Sequence, residues 1–119
     1  MGGSLADTVT LKCHIKGVPS NGVLDSGAGC SLTTSGFIAK VPNVKLTPAD
    51  KILKDASHNE IKLLGKVTLP VKIRGDTGRI VSKNVVFYVS DCDDVSCVLM
   101  GRNFMKQFGT VSFDFDNIS

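Results

Sequence analysis

Asp25 is the residue whose neighbours best suit it to acid–base chemistry. It follows two apolar residues, Val23 and Leu24, and precedes Ser26, Gly27, Ala28 and Gly29. The apolar pair reads as the end of a buried strand, and the glycines let the backbone turn sharply and approach another backbone. A carboxylate there is held by a rigid sheet yet open to a ligand, a good place for a catalytic group. A second triplet of the same type, Asp76-Thr77-Gly78, lies between Arg74-Gly75 and Arg79. No apolar strand runs into it, so it reads as a solvated hairpin turn, and the embedded Arg74-Gly75-Asp76 is turn chemistry too.

Other reactive side chains have less in their favour. The four cysteines are Cys13, Cys30, Cys92 and Cys97, and the two histidines are His14 and His58. Zinc at Cys92 and Cys97 would need histidines from far away in sequence, and no metal or other cofactor is expected. Cys30 as a nucleophile with His14 or His58 has no spacing that orients the pair. Cys13 alternates with Leu11 and Ile15 and reads as a small core residue. With no secretion signal in the chain, the thiols are expected to be reduced.

The elements that must position Asp25 can be read in order. Residues 8–15 alternate, with Val9, Leu11, Cys13 and Ile15 on one face and Thr10, Lys12 and His14 on the other: a half-buried strand. Lys16-Gly17 turns the chain, and residues 18–24 return as the strand that delivers Asp25. Residues 30–32 continue extended, and a short helical turn over 35–40 ends before Pro42. A second hairpin is expected over 51–64, with a small polar tip at 55–59. Gly65 marks a bulge or bend. Residues 67–73 alternate as a strand, with Pro70 pointing to an edge or interruption. Residues 80–89 form a β-branched run, and 91–96 an acidic loop. Phe104 and Phe108 give residues 102–108 helical spacing, with Gly109 as a stop and a last strand over 110–115.

At 119 residues the chain reads as one domain over residues 5–119, with Met1-Gly2-Gly3-Ser4 an expression remnant outside it. Aromatics are few and Trp is absent, so the core is expected to rest on Val, Ile and Leu. The net charge of +3 comes from scattered Lys and Arg, which does not favour nucleic-acid binding. No apolar run reaches membrane-spanning length. The class is all-β and barrel-like, with one clear short helix near the C-terminus.

Three features line up: Asp25-Ser26-Gly27-Ala28 after an early strand, a mid-chain hairpin leading into Ile61-Lys62-Leu63-Leu64-Gly65-Lys66, and a late Leu99-Met100-Gly101-Arg102-Asn103-Phe104. In order and spacing the chain resembles the retropepsins, the aspartic proteases of retroviruses and LTR retrotransposons, from about Val9 to Phe115. The resemblance implies a retropepsin-like closed β-barrel with a flap hairpin and one short C-terminal helix. It implies that Asp25 is the catalytic carboxylate, that Ser26 interlocks with its copy in a partner subunit, and that Gly27, Ala28 and Gly29 form the active-site loop that meets substrate. Lys54-Asp55-Ala56-Ser57-His58-Asn59-Glu60 corresponds to the flap tip. Val23, Leu32, Cys97 and Leu99 fall where the family lines its side-chain pockets, and Gly101, Arg102 and Asn103 match the segment supporting the loop from behind. Two departures stand out: Gly29 replaces an acid common in retroviral members, and the flap tip lacks glycines.

Cleavage by this route needs two carboxylates sharing one proton, and the chain offers one suitable Asp. The second must come from an identical subunit across a two-fold axis, so a homodimer is expected. The expected function is a homodimeric aspartic endopeptidase acting on extended polypeptide. The resemblance implies processing of a retroelement Gag-Pol polyprotein in the cytoplasm, within a polyprotein or virus-like particle. No membrane or nucleic-acid partner is expected of the domain. The alternative is a catalytically silent module of the same fold that dimerises or binds peptide.

Overall fold

The structure is a computed structural model describing residues 9–25, 27–55 and 57–108. Ser26, Ala56, the predicted stop at Gly109 and the predicted last strand over 110–115 lie outside the described residues.

Alternation builds the first hairpin. Strand β1 (Val9–Ile15) buries Leu11, Cys13 and Ile15 and exposes Lys12 and His14. It pairs along its whole length with β2 (Val18–Leu24), from Val9↔Leu24 to Ile15↔Val18. Lys16 and Gly17 both take positive φ, 48° and 87°, the two-residue turn whose twist matches the strands it joins. Strand β3 (Ser31–Thr34) runs into a one-turn helix α1 (Ser35–Ile38), capped by the Thr34 hydroxyl, which accepts the amide of Phe37 at 3.2 Å.

Strand β4 (Leu63–Arg74) is longer than the alternation over 67–73 predicts, and it pairs antiparallel with β5 (Ile80–Ser90) from Leu63↔Ser90 to Arg74↔Ile80. Pro70 stays inside this ladder, opposite Asn84. Its carbonyl accepts the amide of Lys16 at 2.9 Å, so its backbone nitrogen points the same way, toward β1, and its missing N–H removes no β4–β5 bond. The register slips between Leu63 and Gly65, the expected bulge. Gly65 has φ 155° and packs against the Thr47 carbonyl, a place with no room for a side chain. Asp76-Thr77-Gly78 is the predicted turn, closed by Gly75 N–H to Arg79 O at 2.7 Å.

Strand β6 (Val98–Met100) and helix α2 (Arg102–Phe108) complete the fold. The sheet closes into a six-strand barrel in the order β1-β2-β6-β3-β5-β4. Two of its pairings, β2 with β6 and β3 with β5, are parallel. The strands flanking the Asp25 loop therefore do not pair with each other, because β6 lies between them. Val, Ile and Leu supply most of the buried core, as expected, and phenylalanine supplies its bulkiest members. Phe37, Phe87, Phe104 and Phe108 are its largest fully buried side chains, packed with Leu11, Ile15, Leu69, Val71 and Met100. The few aromatics are placed where their area is worth most, each contributing roughly 2–3 kcal/mol of burial. Among the described residues, no helix is long and apolar enough to cross a membrane.

Candidate active site

The insertion of β6 fixes the loop carrying Asp25. The Asp25 amide donates to the Met100 carbonyl at 2.9 Å, extending the β2–β6 pairing to the last residue before the turn. The loop then folds back on its own aspartate. Gly27 N–H donates to Asp25 Oδ1 at 3.0 Å, and Ala28 N–H to the Asp25 carbonyl at 3.1 Å. The carboxylate is exposed and faces outward.

Residues 101–103 back this loop. Arg102 N–H donates to the Ala28 carbonyl at 2.7 Å. The buried Ser31 hydroxyl donates to Asn103 Oδ1 at 2.7 Å and accepts the Gly101 amide at 3.1 Å. Asn103 Nδ2 reaches on to the Val86 carbonyl at 3.0 Å, tying the assembly to β5. Gly101 is required by contact: a Cβ there would lie 2.6 Å from the Cys30 carbonyl carbon and 2.8 Å from the Ala28 oxygen. Gly29 has the Arg102 guanidinium beside it, 3.3 Å from where a Cβ would sit.

Leu99 pairs with Val23 on one side and with Leu32 on the other, so the three form one row across β2, β6 and β3. All three are half-buried, on the face opposite Met100 and the core. A cavity of about 550 Å³ opens beside this row, within the size range of ligand pockets. Its floor is Asp25 and residues 27–30, and its wall is Leu32 and Leu99. Leu53, Lys54, Asp55 and Ile61 complete its lining. Val23 and Cys97 do not line it. Cys97 sits before β6, where its carbonyl accepts the Thr33 hydroxyl at 2.7 Å and burial pushes its thiol pKa up.

The hairpin predicted over 51–64 is narrower than its apolar arms suggest. Its pairing consists of the Lys54↔Glu60 bridge, with Ile61 N–H to Leu53 O and Asp55 N–H to Asn59 O, both 2.9 Å. Ser57, His58, Asn59 and Glu60 are exposed. In place of glycine, Asp55 organises the tip: its Oδ1 accepts the amides of Ser57 (2.9 Å) and Asn59 (3.0 Å), and His58 takes φ 66°.

Sequence reasoning missed the anchor of this hairpin. Thr47 and Lys66 exchange two backbone hydrogen bonds, at 2.9 and 2.8 Å. Asp50 accepts the Tyr88 hydroxyl at 2.5 Å and Lys66 Nζ at 3.0 Å. Those two donors hold the Asp50 carboxyl down at about 2, the tyrosine contributing most, and the same bond pushes Tyr88 up to about 12. Lys51 Nζ lies 5.7 Å from the Tyr88 ring centroid and 3.5 Å from Cys30 Sγ. Cys30, Leu53 and Ile61 were also missed as lining residues; the apolar residues flanking the hairpin tip were the only available signal.

No family model and no curated protein sequence matches the chain. Its fold is similar to that of the retroviral protease-like domain of Ddi1 from Leishmania major, at 17% identity and TM-score 0.58, over 86% of this chain and 73% of that one. It is also similar to the EIAV protease complexed with the inhibitor HBY-793, at 19% identity and TM-score 0.56, over 84% of this chain and 86% of that one.

Proposed function

From its retropepsin-like fold, we propose that this chain is one half of a homodimeric aspartic endopeptidase that cuts extended polypeptide, with Asp25 as the catalytic carboxylate. One observation supports the reading: an exposed carboxylate, fixed through Met100 and Gly27, lines a cavity that residues of a hairpin also line. In this mechanism one Asp25 takes a proton from the attacking water while its protonated copy donates to the substrate carbonyl oxygen. The tetrahedral intermediate collapses as the amine leaves with a proton. The mechanism requires the two carboxylates to share one proton, because like charges at close range repel. The second carboxylate belongs to a second copy across a two-fold axis.

The remaining roles are those the retropepsin resemblance implies. Substrate lies as a strand across the cavity, with Gly27 and Ala28 offering backbone groups and Leu32 and Leu99 favouring apolar side chains. Residues 54–60 close over it. Ser26 interlocks with its copy, and Gly101, Arg102 and Asn103 keep the loop rigid. The natural task is processing of a retroelement polyprotein in the cytoplasm, inside a particle that concentrates the chain.

The test is cleavage of a diverse peptide mixture at mildly acidic pH and high protein concentration, beside the Asp25→Asn variant. Cuts that disappear in the variant support the proposal. Cuts that persist, or no cuts from a folded dimer, contradict it, and the latter identifies a silent module.

A further inference from the structure

Basic side chains scattered in sequence are gathered by the fold. Strands β1 and β4 pair only at His14↔Lys72 and Ile15↔Val71, and then diverge. A cavity of about 370 Å³ opens in the gap, with Lys12 and His14 on one bank and Lys72 and Arg74 on the other. On the far side of β1 a second cavity, of about 320 Å³, is bordered by the same Lys12 and His14 together with Lys40. The result is a stripe from Lys40 through Lys12 and His14 to Lys72 and Arg74, all exposed. No carboxylate borders either cavity, and neither shares a residue with the cavity at Asp25.

None of the five basic side chains is held in an ion pair among the described residues, where the ion pairs are Lys62–Asp91 and Lys66–Asp50. Lys40 rests over the Phe37 ring at 5.1 Å, which positions its ammonium without cancelling the charge. Ser96 brings the acidic loop to the edge of the second cavity, but the Asp94 carboxylate is turned onto Ser96 itself, accepting its amide at 2.9 Å and its hydroxyl at 3.1 Å.

We infer that this face binds the sugar–phosphate backbone of a single-stranded nucleic acid. Outward residues on one strand recur every ~7 Å, so Lys12 and His14 on β1 face Lys72 and Arg74 on β4 as a cluster of basic groups on both banks of the gap, the charge that attracts a polyphosphate. On a molecule about 40 Å across, a stiff duplex touches this patch over a short length, whereas a flexible strand bends to follow it. No exposed aromatic borders either cavity, Phe37 being fully buried, so contact is with phosphates, which carry no sequence information, and binding is sequence-tolerant. An acidic protein partner is the poorer fit, because protein interfaces depend on large apolar or aromatic anchors and the face offers only Ile80. The expectation of no nucleic-acid partner rested on the scatter of Lys and Arg along the chain, which the barrel undoes.

The inference is independent of the protease reading and is tested separately. Fluorescence anisotropy of labelled 20-nucleotide RNAs and DNAs of unrelated sequence would be measured with the intact chain across a salt series. The expected result is comparable affinity for all single strands, with log K falling against log salt at a slope of about −3, as for four to five phosphate contacts. The Lys12→Gln/Arg74→Gln double variant, checked for folding by circular dichroism, is expected to bind at least about tenfold more weakly, with a slope shallower by about 1.4. Lys45→Gln, at an exposed lysine bordering neither cavity, is expected to bind as wild type. The inference is overturned by absent binding at low salt, by equal binding of the double variant, or by equal weakening in Lys45→Gln. Tighter binding of a 20-base-pair duplex than of the single strands at the same salt would overturn the single-strand assignment.

Discussion

The amide of Asp25 donates to the carbonyl of Met100 at 2.9 Å, across a contact spanning most of the chain. The carboxylate is thereby fixed in the sheet while its side chain stays open to the cavity. This division of labour, a rigid backbone under an exposed functional group, is what an acid–base site requires. It also makes the site depend on packing at the end of β6, where a substitution far from Asp25 in sequence acts directly on it.

Gly101→Ala tests that dependence. The added Cβ meets the backbone of Cys30 and Ala28, which cannot rotate away as a side chain can. The expected cost is about 2–3 kcal/mol, measured by urea denaturation, with the Asp25 loop displaced. A variant as stable as wild type would show that residues 101–103 do not constrain the loop.

Cys13 predicts a loss of stability in alkali. Its thiol is pushed up from 9.0 to about 11 by burial. Below pH 9 the thiol is protonated in both folded and unfolded chains. Between pH 9 and 11 the unfolded chain releases the proton while the folded chain keeps it, so stability falls as pH rises. The loss from this group is about 3 kcal/mol across that window. Cys13→Ala is expected to flatten the pH dependence of the urea midpoint there; an unchanged slope would contradict the assignment.

Asp50 predicts the opposite dependence at the base of the hairpin. Its carboxyl is lowered from 3.8 to about 2, so its tie to Tyr88 and Lys66 is intact above pH 3.8 and is lost as pH falls toward 2. The hairpin base thus stays anchored at the mildly acidic pH where a shared-proton dyad works. Tyr88→Phe removes the larger cause. Carboxyl NMR titration is expected to show Asp50 moving up toward 3.8, with faster amide exchange over residues 47–53. An unmoved Asp50 would show that the tyrosine is not its main partner.

Features written in local pattern were legible in the sequence. The alternation of Leu11, Cys13 and Ile15, the Lys16-Gly17 turn, the strand end at Asp25 and the spacing of Phe104 and Phe108 reappear as β1, its hairpin and α2. Features set by distant partners were not. Pro70 reads as an interruption until its backbone is seen to face Lys16 rather than β5. The apolar residues on either side of the 55–59 tip suggest a two-stranded ladder, but the pairing is limited to one bridge and Leu53 and Ile61 line the cavity instead. Cys97, counted with the pocket residues by resemblance, lies outside the lining, while Cys30 and the Asp50–Tyr88 tie carry no local signature. The row Val23–Leu99–Leu32 needs one parallel and one antiparallel pairing at once, which no sequence window contains.

The most direct test of a paired Asp25 is a mixing experiment. Wild-type chain is held at a fixed concentration where sedimentation shows a dimer, equimolar Asp25→Asn chain is added, subunits are allowed to exchange, and peptide cleavage is followed. If each active site needs one Asp25 from each copy, half of the wild-type subunits pair with an inert partner and the rate falls to about half. A rate unchanged by the added variant would show that the carboxylates do not act as a pair across the dimer, and would contradict the account.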